Sequence, residues 1–327
     1  MRLVAVSKVL DEADVIEAFA RHTAAYVSHH IILDNGSCDG TVDILKQLRN
    51  EGLQLTLLHN DSRQFYEEKF NTILYHLALT VAAADWVIFL DADEFIDDRE
   101  ATSVGSGLKP ILDRQDTAVS CVRVLLTNYQ ATVWDNQSEP IIPVRLGWRQ
   151  GRSEVEKVIV RGNLANRGVT VLSGSHGVLI DGGQTCPYQK ETVVTLAHYS
   201  ERSPFQAAVK FIRGWSKVLA AGESEIRKGT AFHYRERFET LRDRPRDLLR
   251  SSWLHQFHCP TDGLTHDPIG YLGGALRFTP LLDEQMRAVR CLMRTLETLS
   301  TQYGRLLEEC PGARDMVNRW SEDISLL

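Results

Sequence analysis

The sequence predicts an α/β protein with a mixed, mainly parallel β-sheet and a helical C-terminal region. Short apolar runs alternate with segments of helical periodicity over residues 3–90, which is the pattern of a parallel sheet covered on both faces. Short β-rich runs follow, and helical periodicity dominates from Pro204 onward. We therefore expect a domain over residues 1–202 and a helical region over residues 203–327 that packs on it.

The first part of the chain alternates four strands with three helices. The strands are expected at about 3–9, 31–33, 53–58 and 86–90, and the helices at about 12–25, 41–48 and 67–83. Helices that connect neighbouring parallel strands form right-handed crossovers.

The pattern weakens beyond Asp97 and predicts a mixed continuation of the sheet. Later elements are expected as a strand at 118–126, as short β-rich runs at 155–160, 169–172 and 193–197, as helices at 205–221 and 281–309, and as a loop at 255–268.

The composition is that of an ordinary globular protein. The 327 residues are 43% hydrophobic and 24% charged, and 37 Lys and Arg stand against 43 Asp and Glu, a net charge of −6. This balance argues against a nucleic-acid partner bound by bulk electrostatics. The six cysteines form no C-x-x-C pair, which favours reduced thiols and a cytoplasmic location. No apolar run approaches the ~20 residues of a membrane span, which leaves only peripheral membrane contact open.

Charge is unevenly distributed along the chain. Acidic side chains outnumber basic ones in residues 1–100, whereas residues 201–250 are basic. Two interpretations stay open: the segments are solvated surfaces that happen to differ, or the carboxylates hold a metal ion while the cations meet phosphate.

The segment DNGSCDGT at residues 34–41, here called the 34–41 loop, lies where the second strand ends and the second helix begins. This is the edge of an open parallel sheet where ligands bind. Asp34 can accept a hydrogen bond from a base or a ribose, and Gly36 and Gly40 permit positive φ. A capped turn without a ligand is the alternative interpretation.

The segment Asp91-Ala92-Asp93-Glu94 follows an apolar run and emerges at the same edge. Strand alternation predicts that Asp91 and Asp93 lie on one side. Two neighbouring carboxylates repel each other unless a cation lies beside them. The sequence therefore predicts a Mn²⁺ or Mg²⁺ site, since these ions prefer oxygen ligands and complete their shell with phosphates. An exposed acidic loop is the alternative.

A second group of metal-ligand residue types lies late in the chain, at His255, His258, Cys259 and His266. It lacks a second thiolate at tight spacing, and the surrounding prolines and glycine indicate a loop. We therefore do not predict zinc there.

In its order of motifs, the chain resembles nucleotide-sugar glycosyltransferases of family two, which have the inverting A-type fold. The resemblance covers roughly residues 1–215. It rests on Asp11-Glu12-Ala13-Asp14, the 34–41 loop, Lys69 with Asn71, Asp91-x-Asp93 (DxD) with Glu94-Phe95, and His198-Tyr199-Ser200 followed by Lys210 and Arg213-Gly214-Trp215.

The resemblance implies a transfer of sugar from a nucleoside diphosphate donor to an acceptor hydroxyl of a glycan or other molecule. It implies nucleotide contacts and metal ligands that are carried over position by position. The implied nucleotide-binding residues are Glu12, Asp34, Lys69, Asp91, Lys210 and Arg213, and the implied metal ligands are Asp91, Asp93 and His198.

Two assignments stay open within this resemblance. A late histidine completes the metal shell in such enzymes, and His198 is preferred to His176 because a basic helix follows it. No pair of acidic residues in the sequence identifies the general base. Its candidates are Asp135, Glu139, Glu154 and Glu156, of which we choose Glu154.

Two other functions remain as alternatives. An apolar strand that ends in Asp-x-Asp also describes haloacid-dehalogenase-type phosphatases, but Phe95 stands where that motif has Thr or Val, and the 34–41 loop has no role there. The second alternative is a non-catalytic nucleotide-sugar-binding homologue that acts through its helical region.

Overall fold

The computed structural model describes residues 1–60, 67–103, 105–132, 134–227, 229, 232–246, 263–279 and 283–322. The strands are β1 (Leu3–Val9), β2 (His29–Asp34), β3 (Leu55–His59), β4 (Trp86–Phe89), β5 (Glu94–Asp97), β6 (Cys121–Gln130), β7 (Trp148–Arg161), β8 (Thr170–Val171), β9 (Val178–Ile180), β10 (Gln184–Thr185), β11 (Gln189–His198) and β12 (Thr265–His266). The helices are α1 (Ile16–Ala24), α2 (Thr41–Glu51), α3 (Glu67–Ala82), α4 (Arg99–Ser103), α5 (Leu108–Asp113), α6 (Ile142–Arg145), α7 (Pro204–Ala221), α8 (Glu223–Arg227), α9 (Phe232–Asp243), α10 (Glu284–Glu309) and α11 (Pro311–Glu322).

The main sheet has the strand order β3-β2-β1-β4-β7-β6-β11-β5, and β12 pairs with β7. β1 pairs in parallel with both β2 and β4, β2 pairs in parallel with β3, and β6 pairs in parallel with β11. The remaining ladders of this sheet are antiparallel. The sheet is therefore mixed, and its N-terminal half is the parallel β-α-β unit that the sequence predicts.

Helices cover both faces of this parallel half. Leu3 and Ala5 of β1 belong to a buried cluster with Phe19 of α1. Val4 alternates with them and packs on the other side with Tyr75 of α3. Because both faces of β1 are buried, the strand is a continuous apolar run rather than an alternating one.

The helical region begins with a well-defined start signal. Ser203 caps α7, with its hydroxyl accepting a hydrogen bond from the backbone N–H of Gln206 over 3.2 Å, and Pro204 occupies the first turn. α10 packs against α7 through a small buried cluster that contains Val209, Ala288 and Cys291. The C-terminal helices thus pack on α7, and α10 also contacts the first part of the chain directly through Arg287, which lies 3.1 Å from Asp14.

Most expected elements are present, with two instructive differences in length. α1 begins only at Ile16 because the chain first turns at Asp11, which has a φ of 58°. The carbonyl of Glu12 then accepts the N–H groups of Val15 and Ile16. β7 extends over Trp148–Arg161, far beyond the apolar run at 155–160, since its polar half is held by backbone pairing with β6.

Three members of the late His and Cys group, for which no zinc is predicted, lie outside the described residues: His255, His258 and Cys259. His266 lies in β12, where its ring packs against Trp148 at 5.0 Å between centroids. Within the part of the chain that the structure describes, no helix is long and apolar enough to cross a membrane.

Candidate active site

The carboxyl ends of β1, β2 and β4 meet at one edge of the sheet. The order of strands reverses at β1, because β2 and β3 lie on one side of it while β4 lies on the other. Ligands of open α/β sheets bind in the crevice at such a reversal. The turn after β1, the 34–41 loop after β2 and Asp91 after β4 all lie at this edge.

Asp34 organises the 34–41 loop. Its carboxylate is almost fully buried and accepts backbone N–H groups of Gly36 at 3.1 Å and Ser37 at 3.1 Å. Nδ1 of His59, at the end of β3, lies 3.0 Å from Oδ2 of the same carboxylate. Gly36 has a φ of 85°, a conformation in which glycine is favoured. Asp34 therefore shapes the loop directly, whether or not it also contacts a nucleoside.

The 34–41 loop is tied to the turn after β1 by hydrogen bonds between the two segments. The backbone N–H of Asp11 donates to the hydroxyl of Ser37 over 2.8 Å, and that of Glu12 donates to the hydroxyl of Thr41 over 2.8 Å. The N–H of Cys38 in turn donates to Oδ1 of Asp11 over 2.7 Å. The two motifs thus form one connected structure.

Asp91 and Asp93 lie in a tight turn between β4 and β5, where the N–H of Glu94 donates to the carbonyl of Asp91. The prediction that strand alternation orients the two aspartates is therefore wrong, since β4 ends at Phe89. Asp91 is half-buried, and its carboxylate accepts from Nζ of Lys157 over 2.7 Å.

Glu94 is buried beside this turn and contacts the same lysine, with 2.9 Å between its Oε1 and Nζ of Lys157. Burial raises the pKa of Glu94 to about 8, an effect that Lys157 opposes and that the Asp91 carboxylate strengthens. The pKa of Lys157 is raised above its ordinary value, because the attraction of Asp91 and Glu94 outweighs the effect of burial.

Asp93 is almost fully buried and is surrounded by cationic and imidazole groups. Its Oδ2 accepts a hydrogen bond from Nζ of Lys210 over 2.7 Å and lies 3.7 Å from Nε2 of His198. Burial disfavours ionisation of Asp93, but Lys210 and Arg202 hold its pKa well below the ordinary range. The carboxylate is therefore charged at neutral pH.

His198 ends β11 in a fixed orientation. Its Nδ1 lies 2.8 Å from Oδ1 of Asn128, an acceptor, so Nδ1 carries the proton and the unprotonated Nε2 lies 3.7 Å from Asp93. Burial lowers the pKa of His198 to about 4, so the ring is neutral at physiological pH. A neutral histidine held by a polar partner on its other nitrogen is the typical arrangement of a metal ligand.

These donors fit a hard divalent cation. Nε2 of His198 lies 3.7 Å from Oδ2 of Asp93, close enough for both atoms to bind one cation, although in this structure Lys210 donates to the same carboxylate oxygen. Asp91 adds a half-exposed carboxylate from the same turn. The oxygen and imidazole donors suit Mn²⁺ or Mg²⁺.

Arg202 links the first motif to the DxD turn. Its guanidinium pairs with Glu12 at 2.5 Å and with Asp14 at 2.7 Å, and lies 3.9 Å from Asp93. Burial raises the pKa of Glu12 to about 7, although Arg202 opposes this rise. Burial also acts to raise the pKa of Asp14, but the attraction of Arg202 and Arg287 outweighs it and holds this pKa below its ordinary value.

Arg213, an implied nucleotide-binding residue, is almost fully buried and forms an ion pair with Asp11. Burial lowers the pKa of its guanidinium to about 10. Lys210, three residues earlier on α7, contacts Asp93. The basic segment and the acidic half of the chain thus meet each other directly, an arrangement that neither charge interpretation from the sequence contained.

The four candidates for the general base have different surroundings. Glu154 is exposed in the irregular stretch of β7 between two registers with β6, and no ion pair of the described residues involves it. Glu156 pairs with Arg123 at 2.9 Å and with Lys190 at 2.5 Å. Asp135 and Glu139 accept backbone N–H groups in the loop that precedes α6.

Three other sequence candidates lie apart from Asp93. Lys69 is exposed in the first turn of α3. Asn71 is buried and donates to the carbonyl of Leu172 over 3.0 Å, which is a structural role. Nδ1 of His176 lies 2.8 Å from the carbonyl of Glu156. Of the two histidines weighed from the sequence, only His198 contacts Asp93.

Sequence reasoning missed four residues of this site: Asn128, Lys157, Arg202 and Arg287. Lys157 carried a usable signal, because a lysine inside the apolar run at 155–160 must find a buried counter-charge. Arg202 gave a weaker sequence signal, because it is a cation that directly precedes the Ser203 cap of α7. Asn128 and Arg287 carried none, since their roles depend on neighbours that are distant in the chain.

A cavity of about 300 Å³ lies elsewhere, between β5, β6, β7 and β11. It is lined by Arg99, Arg149 and Arg152, and these cations are already paired with Asp97, Asp267 and Glu100. None of the predicted site residues lines it.

The model of glycosyl transferase family 2 matches residues 11–159. No curated protein matches the chain. Among solved structures, the chain is similar to a mannosyltransferase from Pyrobaculum calidifontis in complex with GDP-Man and Mn²⁺, with 13% identity over 90% of this chain and 87% of that chain and a TM-score of 0.39. It is similar to TarS 1–349 of S. aureus, with 14% identity over 70% and 68% of the two chains and a TM-score of 0.35. It is also similar to glucosyl-3-phosphoglycerate synthase from Mycobacterium tuberculosis, with 14% identity over 66% and 79% and a TM-score of 0.34.

The matched segment contains the turn after β1, the 34–41 loop and the DxD turn, which are the elements that meet at the switch of strand order. Over residues 11–159, the segment that carries these motifs, the chain is therefore similar to glycosyl transferase family 2.

Proposed function

We propose that the protein is a metal-dependent, inverting glycosyltransferase. It moves a sugar from a nucleoside diphosphate donor to a hydroxyl of a glycan or other acceptor. Residues 1–202 are its catalytic domain, and residues 203–327 are a helical region that packs on that domain. The contact of Lys210 with Asp93 and that of Arg213 with Asp11 support the packing of the helical region on this domain, since they connect the two parts at the site.

The observation that carries the proposal is the pairing of Asp93 with His198. Both side chains are largely buried, the ring is neutral, and its Nε2 lies 3.7 Å from Oδ2 of the carboxylate. Asn128 fixes this tautomer. We assign Asp91, Asp93 and His198 as ligands of Mn²⁺ or Mg²⁺, which when bound neutralises the charge that develops on the departing diphosphate.

The chain's own residues bind and orient the donor. Asp34 holds the 34–41 loop in place and offers its remaining lone pairs to the nucleoside. Glu12, fixed by Arg202, lies beside Asp93 and is proposed to contact the donor. The other proposed nucleotide contacts are Lys69, Asp91, Lys210 and Arg213, of which Lys69 is the most exposed.

Inversion requires a single displacement in which the acceptor oxygen attacks the anomeric carbon opposite to the leaving diphosphate. A carboxylate must take the acceptor's proton as that bond forms. We propose Glu154 for this role because its carboxylate is exposed and is not held in an ion pair of the described residues. Glu156 is the weaker candidate, since two cations stabilise its ionised form.

A thermal-shift panel of nucleoside diphosphates and nucleotide sugars, with and without MnCl₂, tests the proposal. A ligand that binds the native state raises the melting temperature, and a true donor should do so more strongly with the metal present. Transfer to simple acceptor sugars, followed by NMR of the anomeric configuration, then tests inversion.

Two results would contradict the proposal. Retention of anomeric configuration would refute the inverting mechanism. Nucleotide binding without any turnover, in the parent protein and across acceptors, would favour a non-catalytic nucleotide-sugar-binding homologue. Glu154→Gln, compared with Glu156→Gln, tests the base, because full activity of Glu154→Gln would exclude that residue.

A further inference from the structure

Two cysteines that are far apart in the chain lie next to each other at the edge of the site. Cys38 belongs to the 34–41 loop, and Cys291 lies in the second turn of α10. Their Sγ atoms and a carboxylate oxygen of Asp11 all lie within 4.8 Å of one another. Cys291 is completely buried, whereas Cys38 is half-buried and is therefore the thiol that a small solute reaches first.

The surroundings make the two thiols unequal. The S–H of Cys291 hydrogen-bonds to Cys38, and this bond, together with burial, raises the pKa of Cys291. Cys38 is thus the acceptor of the pair. The guanidinium of Arg294 lies close enough to Cys38 to interact with it electrostatically, as does that of Arg213 with Cys291. Cations favour a thiolate, which is the reactive form of cysteine, whereas the neighbouring carboxylates of Asp11 and Asp39 oppose it.

The same three ligand atoms are close enough to bind one zinc ion, but the charges around them disfavour it. Arg213 is in direct contact with the Asp11 carboxylate and balances its charge. A divalent cation at the two sulfurs would therefore lie beside a guanidinium. Two neighbouring thiols of unequal exposure instead match a cysteine that an oxidant attacks and a second cysteine that resolves the product.

We propose that Cys38 and Cys291 form a peroxide-sensitive dithiol pair whose oxidation locks the 34–41 loop onto α10. The Cys38 thiolate attacks hydrogen peroxide, which is reduced to water as the sulfur becomes a sulfenic acid. The sulfur of Cys291 then attacks this sulfenic acid, the S–S bond forms, and a second water leaves with the proton of Cys291. Two thiols and one peroxide thus give one disulfide and two waters.

The lock has a defined structural consequence. The 34–41 loop is hydrogen-bonded to the turn after β1 through Ser37, Cys38 and Thr41. A disulfide would add a covalent connection from this loop to the C-terminal helical region. Because Asp34 lies in the same loop, we expect oxidation to change nucleotide affinity, and this part of the inference rests on the proposed function.

The crosslink is tested on the full chain without any nucleotide. Protein reduced with dithiothreitol is treated with a small excess of hydrogen peroxide, alkylated, digested without reduction and examined by mass spectrometry. We expect a peptide that joins Cys38 to Cys291, absent in Cys38→Ser and Cys291→Ser and unchanged in the control Cys310→Ser, whose cysteine is exposed. A disulfide between Cys38 and any other cysteine, or no disulfide at Cys38, would overturn the proposal. So would a zinc ion that the parent protein retains at about one equivalent through gel filtration and that both serine variants lose.

Thermal unfolding provides the second readout. A disulfide that closes so long a chain segment should raise the melting temperature of the oxidised parent by several degrees, reversibly with dithiothreitol and in neither serine variant. Oxidation that leaves the melting temperature unchanged would show that the loop is not locked.

Nucleotide binding separates this inference from the proposed function. A nucleoside diphosphate that binds the reduced parent should bind the oxidised parent with a Kd changed by at least about fivefold, and the Cys38→Ser variant should show no such change. An unchanged Kd in crosslinked protein would overturn the coupling to the donor site. If no nucleotide binds the reduced protein, that result counts against the proposed function. The crosslink and melting experiments would still show whether the disulfide forms and locks the loop.

Discussion

Nδ1 of His198 donates a hydrogen bond to Oδ1 of Asn128 over 2.8 Å, which leaves Nε2 unprotonated at 3.7 Å from Oδ2 of Asp93. Asn128 is thus a positioning residue for the proposed metal ligand. Removing such a partner typically weakens metal binding by about 10-fold to 100-fold. We expect Asn128→Ala to raise the Kd for Mn²⁺ within this range, measured by isothermal titration calorimetry. Asn128→Asp, which keeps the acceptor, should bind Mn²⁺ at least as tightly as the parent, and equal affinity of the alanine variant would refute the positioning role.

Asp93→Asn should abolish metal-stimulated donor hydrolysis or transfer. The same substitution should also destabilise the fold, because Asp93 is buried and its loss leaves Lys210 and Arg202 without one of their counter-charges. Removing one partner of a buried ion pair costs about 3–5 kcal/mol of folding stability. The cost should be smaller here, because Lys210 and Arg202 keep other hydrogen-bond or ion-pair partners. Activity with and without MnCl₂ and urea unfolding measure the two effects. An active, metal-stimulated variant would remove the DxD turn from the mechanism.

Asp34→Ala should weaken nucleotide binding even without metal, since its proposed contact is to the nucleoside. Its carboxylate also accepts the N–H groups of Gly36 and Ser37, so the variant should lose about 1 kcal/mol of stability as well. Asp34→Asn retains an acceptor oxygen and serves as the control for the loop. Calorimetric affinity equal to that of the parent in the alanine variant would exclude the nucleoside contact.

Lys210→Gln and Arg213→Gln should differ in what they change. Lys210 donates a hydrogen bond to Asp93, so replacing it should raise the donor KM or lower turnover. The expected loss corresponds to a free energy of about 1.5–3 kcal/mol, which is the contribution of a charge-assisted hydrogen bond. Arg213 is buried against Asp11, so its variant should lower the free energy of unfolding by about 3 kcal/mol. The diphosphate role of Arg213 predicts in addition a higher donor KM. Lower stability with unchanged donor kinetics would confine Arg213 to the fold.

His30 should make the fold sensitive to acid. It is buried in β2 with Nε2 2.9 Å from the hydroxyl of Ser7, and burial lowers its pKa from 6.5 to about 3. Between these values the unfolded state binds a proton that the folded state does not, so the free energy of unfolding falls as pH falls from 6.5 towards 3. The loss at pH 5 amounts to about 2 kcal/mol.

The variant His30→Gln should lose this contribution. In urea unfolding, its stability should fall by about 2 kcal/mol less than that of the parent between pH 7 and pH 5. The two proteins should behave alike between pH 7 and pH 8, which serves as the internal control. An identical decrease in both proteins between pH 7 and pH 5 would show that His30 does not titrate on unfolding.

The parallel half of the sheet was predictable because its signals are local. A strand buried on both faces, such as β1, is a continuous apolar run, and the amphipathic helices that cover it repeat with a period of 3.6 residues. The 34–41 loop and the DxD turn were located for the same reason, since each directly follows such a strand. β7 was underestimated because half of it is polar and is held by backbone pairing alone.

The sequence by itself determined the fold class and the edge of the sheet at which the predicted motifs lie, because periodicity and motif order are properties of neighbouring residues. Tertiary structure alone decided which charges meet: Lys157 with Asp91, Arg202 with Asp14, and Arg213 with Asp11. It also decided that Asn128 orients His198. The physical reason is that a buried charge must be paired with whatever the folded chain brings next to it, and those partners lie tens to hundreds of residues away in sequence.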